Sequence, residues 1–377
     1  MANTLSNLIP DTYAALDVVS RELVGFIPSV ARDAKTDRAA LNQSVRAHQT
    51  RANSAGTDIT SAMAIPAAAD QTVDNVNVTI TKARAFPFSW SGEEQYSVDQ
   101  GPGILSVRQD QIAQAIRAAV NEIENDLADA AVQGSRAYGT AGTTPFASTL
   151  GDSAQIRKIL DDNGAPLSGR SLIIGTTAGA ALRTLSQLTK ANEAGTTMTM
   201  RDGELLNLHG FSIKESAQVN SGVTVGTGTS YVLNGSHAVG ATSIVIKTGS
   251  GTVLAGDIVT INSQKYVVKT GASAAGTIVI EAPGLQSAGV DGNTVTINAA
   301  STKNIALTQN SMLLACRLPI VPAEGDLAIE NEIITDPRSG LSFELRVYPG
   351  YGMNRYEIRA CWGVKVIKPE HIGILLG

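Results

Sequence analysis

The sequence predicts an α+β chain: a mixed body of helices and strands that carries a polar β arm and one long helix, interrupted by a small all-β domain. Three observations lead there. Residues 42–100 alternate like a half-exposed hairpin, residues 106–134 repeat apolar side chains at helical spacing, and residues 222–301 shift abruptly to Gly, Thr, Val and Ser. A length of 377 residues exceeds a single hydrophobic core, so two or three domains are expected.

At the start, the segment NLIPDTYAALDVVSRELVGFIPSVARDAK places Pro10 in a first helical turn and repeats Tyr13, Leu16, Val19 and Leu23 at helical spacing. A short amphipathic helix ending near Gly25 or Pro28 follows. Arg32, Lys35, Arg38, Arg46 and Arg51 interleave with Asp33 and Asp37, which reads as a solvated face. Next come SVRAHQTRANSAGTDITSA from Ser44 and QTVDNVNVTITKARAFPFSWSGEEQYSVDQ from Gln71. Val73, Val76, Val78 and Ile80 give this stretch a β-branched alternation. An isolated two-stranded arm is marginal in water, so an arm with no core of its own needs a partner surface. Phe86, Phe88, Trp90 and Tyr96 gather at the arm's return, and packing beneath the following helix is favoured over an interface anchor.

Gly101, Pro102 and Gly103 break the chain before that helix, and Ser106 with Gln109 reads as an S-x-x-Q capping box. Ile112, Ile116, Val120, Ile123, Leu127 and Ala131 fall on one face. Arg108, Arg117, Asn121, Glu124, Asn125 and Asp129 occupy the rest, and Gly134 is a stop. At about 1.5 Å per residue the result is a spine of roughly 40 Å.

Beyond it, a helix from Asp152 to Leu160 ends in the turn of Asp161, Asp162, Asn163 and Gly164. SLIIGTT, from Ser171, is a buried strand, and AGAALRTLSQL is the helix after it. Residues 195–202 read as a mobile loop, and Phe211 and Ile213 alternate in the short strand of GELLNLHGFSIKES. In the Gly-rich stretch, strands are expected at Thr242, Gly256, Gln264, Thr277 and Asn293, each bounded by turn residues, as in a small barrel or sandwich. An unbound accessory domain is its simplest reading. Mixed character resumes at NIALTQNSMLLACRLPIV from Asn304, and strands are expected over 327–334, 341–347 and 356–367.

Charged residues make up 17% of the chain and the formal charge is -5, with no basic run, which argues against a dedicated nucleic-acid or anionic-membrane binder. No apolar run approaches the roughly 20 residues of a membrane span. Cys316 and Cys361 are too few for a disulfide framework, and with no signal-like leader the expected compartment of folding is the cytoplasm. His48, His209, His237 and His371 lie far apart with no second ligand at metal-site spacing. The pairs Gly226/Gly228 and Gly249/Gly251 do not extend to a nucleotide-binding loop and read as turn glycines. Adjacent carboxylates at Asp161/Asp162 and Glu93/Glu94 diverge on any regular element and read as solvated turn charges. The sequence therefore offers no candidate catalytic, cofactor-binding or metal-ligating residue, and no enzyme or cofactor is predicted.

The order of elements resembles the major capsid proteins of tailed bacteriophages, with the Hong Kong 97-type fold. The matching stretches are IPDTYAALDVVSRELVGFIPSVARD as an N-terminal arm, residues 44–100 as the extended loop, and 106–134 as the spine helix. LDDNGAPLSGRSLIIGT and GELLNLHGFSIKES are similar to axial-domain segments, and RYEIRACWGVKVIKPEHIGIL to the closing strands. Residues 222–301 stand where one branch of these coat proteins carries an inserted β-barrel, the I-domain. The resemblance implies this division: N-terminal arm with a short helix 1–41, extended loop and peripheral strand 42–104, spine helix and peripheral domain 105–150, axial domain 151–221 and 303–325, all-β insert 222–302, and closing peripheral strands 326–377.

It also implies a coat protein that assembles with itself, as pentamers and hexamers, into an icosahedral head around packaged DNA, made and assembled in the bacterial cytoplasm. Scaffolding protein, portal and decoration protein are the implied partners, with weak inner-surface contact to DNA and none to membrane. Asp11 and Asp17 offer a charge-complementary site to a scaffolding partner. Some relatives cross-link subunits through Lys and Asn; Lys82 lies in the corresponding region, and no cross-link is predicted. The alternative is a phage surface or tail-associated module whose β insert recognises carbohydrate or protein.

Overall fold

A computed structural model describes residues 23–49, 61, 74–99, 104–189, 207–220, 224–335 and 340–377. Most of the expected N-terminal helix, Asp11, Asp17, the 195–202 loop and the segment joining the arm strands lie outside these residues. A 3-10 turn (Ile27–Ser29) precedes β1 (Ala31–Ala39), the arm strands β2 (Ser44–Gln49) and β3 (Asp74–Thr79), β4 (Lys82–Ser91), a short helix (Gly92–Asp99) and the long helix (Ile104–Ala131). β5 (Arg136–Tyr138), a helix (Gly151–Asp162), β6 (Arg170–Ile174), a helix (Thr176–Thr184) and β7 (Ser212–Glu215) follow. Six short strands come next: β8 (Tyr231–Leu233), β9 (Ser243–Lys247), β10 (Ile258–Ile261), β11 (Gln264–Thr270), β12 (Gly276–Ile280) and β13 (Thr294–Ile297). The chain closes with β14 (Lys303–Thr308), β15 (Met312–Pro319), β16 (Glu330–Thr335), β17 (Ser342–Gly350), β18 (Met353–Val366) and β19 (Ile372–Leu376).

One sheet runs β1-β15-β18-β17-β16, with β4 also on β18. The 14-residue β18 is its organiser: residues 353–362 pair with β4, 353–359 with β17, and 361–366 with β15. The long helix packs on this sheet through the apolar face read from its spacing, with Ile112, Ile116, Ile123, Leu127 and Ala131 sharing a core with Met312, Tyr356, Ile358 and Trp362.

The second sheet joins β7, β6, β14, β19 and β5 to β11, and from β11 the six short strands close a ring in the order β11-β12-β9-β8-β13-β10. All five strands expected in this stretch are present, and β8 is the sixth. Tyr231, Tyr266, Ile246, Ile261 and Ile278 fill the barrel, alternate residues pointing inward as a closed sheet requires. A third cluster under β6, with Ile156, Leu160, Leu172, Leu182 and Phe211, covers the helices between.

The barrel is hydrogen-bonded to the second sheet, β11 pairing with β5 (Lys265↔Ala137, Tyr266↔Arg136). Several expectations are corrected. The long helix already runs at Ile104, so Ser106 lies inside it and the S-x-x-Q box is not its cap. A capping box forms earlier, at a helix that alternation had read as strand: Ser91 N–H donates to Glu94 Oε2 at 2.8 Å and Glu94 N–H to Ser91 Oγ at 3.2 Å. Glu94 is thus a cap, its carboxyl held below the usual range chiefly by the Ser91 backbone N–H.

Candidate interaction surface: the hairpin arm and the spine helix

The arm strands form a two-stranded sheet of their own, from Ser44↔Thr79 out to Gln49↔Asp74. Below it, Asn42 N–H donates to Ile80 O at 2.9 Å and Ile80 N–H to Gln43 O at 2.9 Å, so the ladder reaches the body. Here the expectation of an arm without a core is corrected at its base: Val78 and Ile80 are buried with Ala39, Ala315 and Cys361. Gly363 on β18 makes this approach possible, because a Cβ there would collide with the Thr79 carbonyl oxygen. Outward the burial declines, with Val76 half-buried and Asn75 and Asn77 exposed.

Where the arm returns, β4 is tied to the long helix. Lys82 Nζ lies 2.8 Å from Asp126 Oδ1 and 3.1 Å from Glu122 Oε1, and Arg84 Nε is 3.0 Å from Glu122. Burial works against the Lys82 charge, yet the two carboxylates prevail and raise its pKa. Trp362 Nε1–H donates to the other Asp126 oxygen at 2.7 Å, and Trp90 Nε1–H to Gln111 Oε1 at 2.6 Å. Phe88 stacks on Tyr356 with ring centroids 5.2 Å apart. Of the aromatic group at the arm's return, Phe86, Phe88 and Trp90 pack on the body, whereas Tyr96 is exposed.

Glu124, assigned by spacing to the polar side of the helix, is 1% exposed. Its Oε1 accepts from Gly25 N (2.7 Å), Phe26 N (2.7 Å) and Ser216 Oγ (2.8 Å), and its Oε2 from Ile27 N (3.0 Å). One carboxylate thus anchors to the spine both the entering chain and the segment after β7. Burial pushes its pKa up against the pull of these donors.

Charges read as solvated are also engaged. Arg38 Nη2 meets Glu344 Oε1 at 2.6 Å and Arg317 Nη2 meets Asp33 Oδ2 at 2.6 Å, stitching β1 to the sheet. Asp161 binds Arg170 at 2.6 Å and Arg157 at 3.3 Å, and Asp162 reaches Arg136 at 3.4 Å. Burial opposes ionisation of Asp161, but Arg170 and Arg157 outweigh it and lower the pKa.

The histidines stand on separate features: His209 Nδ1 is 2.8 Å from Ser153 Oγ, His237 is on the barrel in a bridge to Gly289, and His371 precedes β19, its pKa lowered by burial. The Cys316 and Cys361 thiols are buried and pushed up to about 12 and about 11 by desolvation, which leaves them protonated and unreactive. Among the described residues, no three His, Cys, Asp or Glu side chains group as metal ligands. No helix among them is long and apolar enough to cross a membrane.

No protein-family model and no curated protein matches the chain. Solved structures similar to it include one from Mycobacterium phage Che8, at 15% identity and TM-score 0.48 over 89% of this chain and 84% of that chain. The capsid structure of the cyanophage P-SCSP1u is similar at 10% identity and TM-score 0.48, over 92% and 86%. A virus-like particle from Pyrococcus furiosus is similar at 11% identity and TM-score 0.44, over 97% and 98%.

Proposed function

We propose that this chain is a capsid coat subunit of the Hong Kong 97 type, many copies of which build an icosahedral phage head around DNA. The observation that carries the reading is the arm: a two-stranded ladder that leaves the body at a small buried base and continues with exposed polar side chains. Such a ladder is marginal by itself, and among the described residues neither of its outer edges pairs with another strand, so a surface of another copy is its natural complement. The sequence resemblance, element by element, supports the same reading.

In mechanical terms the long helix is the spine against which the arm is braced, through Lys82, Arg84 and Trp362 on Glu122 and Asp126. The proposed division is the one the resemblance implies: N-terminal arm 1–41, extended loop and peripheral strand 42–104, spine helix and peripheral domain 105–150, axial domain 151–221 and 303–325, all-β insert 222–302, and closing peripheral strands 326–377. Obligate contacts of roughly 2,000 Å² or more per pair are typical of such shells, and many weak contacts sum around a closed surface. Scaffolding protein, portal and decoration protein are the further partners proposed, with assembly in the bacterial cytoplasm. The binding-module alternative asks for an autonomous insert, and the β11–β5 pairing disfavours it.

Electron microscopy and light scattering of the purified protein test the proposal, with scaffold added if needed. Shells are expected, and a stable monomer under all assembly conditions refutes it. Deleting residues 56–71, between the arm strands, is expected to leave a folded monomer by circular dichroism and to abolish shells; normal particles from that deletion contradict the role of the arm. Asp11→Asn with Asp17→Asn is expected to weaken scaffold binding, and unchanged binding removes that contact.

A further inference from the structure

Where the barrel is fused to the second sheet, a cleft of about 310 Å³ opens between β5, the helix Gly151–Asp162 and the turn leading into β11. Arg136, Lys158 and Lys265 line it together with a single carboxylate, Asp162. Three cations against one anion leave two positive charges unmatched, in a chain whose overall charge is -5.

Their compensation inside the chain is poor. The Arg136 side chain is 8% exposed, and its Nη1 reaches Asp162 Oδ2 only at 3.4 Å. Its Nη2 donates at 2.6 Å to Gln264 Oε1, a neutral acceptor, and its buried Nε has no acceptor among the described residues. Lys265 Nζ donates to the carbonyl oxygen of Gly139, again neutral. Lys158 is exposed at the mouth, and the neighbouring Asp161 is already occupied by Arg170 and Arg157. Like charges in a concave, partly desolvated site focus a positive potential.

We propose that this cleft is an oxyanion site, taking a phosphate or carboxylate group between Arg136, Lys158 and Lys265. Burial also holds the Lys265 pKa below the usual lysine range, a penalty that an adjacent anion offsets. Two sources present this chemistry: a free phosphate-class anion, or a carboxylate side chain of a second copy docking against the barrel junction. The site is independent of whether the chain builds a shell.

Thermal unfolding of the full-length protein tests it, comparing wild type with Lys158→Glu, a change at an exposed position. One arm titrates inorganic phosphate against chloride at matched ionic strength. A free-anion site gives a saturable rise in the midpoint with phosphate, and Lys158→Glu raises the half-saturation concentration on the order of tenfold. The other arm omits phosphate and raises the protein concentration. A carboxylate from a second copy gives a midpoint that climbs more steeply with concentration in the wild type than in Lys158→Glu, whatever arm contacts add equally to both. Either result supports the site; if neither titration separates the variant from the wild type, the proposal is overturned.

Discussion

Replacing Glu124 isolates what a buried carboxylate does for the junction of arm, spine and β7. Glu124→Ala strands four donors, the N–H groups of Gly25, Phe26 and Ile27 and the Ser216 hydroxyl, in a site that is 1% exposed. A buried unsatisfied donor costs about 1–3 kcal/mol, and removing a desolvated charge recovers part of the sum, so a net loss of about 4 kcal/mol is expected. For a chain of this size that lowers Tm by about 5 °C, read by calorimetry. Limited proteolysis near residue 25 is expected to accelerate in parallel.

Glu124→Gln separates acceptor capacity from charge. It retains Oε1, which serves three of the four donors, and loses only the acceptor facing Ile27 N–H. It also removes the desolvation of a carboxylate, so its stability is expected within about 1 kcal/mol of wild type. Because burial raises the folded-state pKa of Glu124, the favourable neutral form is fully present below the unfolded pKa and lost as pH rises through the folded one. Wild-type stability relative to Glu124→Gln is therefore expected to fall with rising pH across that window. A Gln variant as damaged as Ala, or an Ala variant with unchanged Tm, refutes this account of the junction.

Lys303, with Nζ donating at 2.7 Å to Gly256 O, has its pKa lowered to about 8 by burial. The unfolded chain binds the extra proton between about 8 and 10.5, so this group adds up to about 3 kcal/mol as pH rises across that window. Urea unfolding at several alkaline pH values checks this, with a flatter profile expected for Lys303→Met. Gly363→Ala forces a Cβ onto the Thr79 carbonyl, and about 2 kcal/mol of destabilisation with a loosened arm base is expected by calorimetry and hydrogen exchange. Arg38→Met strips one guanidinium from Glu344, whose side chain is fully buried. Burial alone would raise the Glu344 pKa, but Arg38 and Arg346 hold it down, contributing stability that is present above the unfolded pKa and lost as pH falls through the folded one. Arg38→Met is expected to cost about 2 kcal/mol at neutral pH and to flatten the acid limb of the stability curve.

The apolar face of the long helix was legible because Ile112 through Ala131 recur at the period of the helix itself. The barrel strands were legible for the same reason, each being a short β-branched run between turn residues. Strands β1, β5 and β8 were not, since β1 is rich in charge and the other two are three residues long, too short for alternation to register. Ser91 with Glu94 was written in the sequence as S-x-x-E, but the surrounding strand pattern hid it behind the weaker match at Ser106 and Gln109.

By itself the sequence determined the longer local elements, their order, the arm followed by a spine and the composition shift that marks the barrel, because each is encoded in spacing among near neighbours. Only the tertiary structure decided which polar groups are solvated and which are anchors. Glu124 is buried because Gly25, Phe26 and Ile27 arrive from 97 to 99 residues away, and Arg38 is paired because Glu344 lies 306 residues on. It likewise decided that β11 joins the barrel to β5 and that the arm has a buried foot under Val78 and Ile80. A charged residue has the same identity whether it meets water or a distant donor, so periodicity records which side of an element it lies on and not what that side meets.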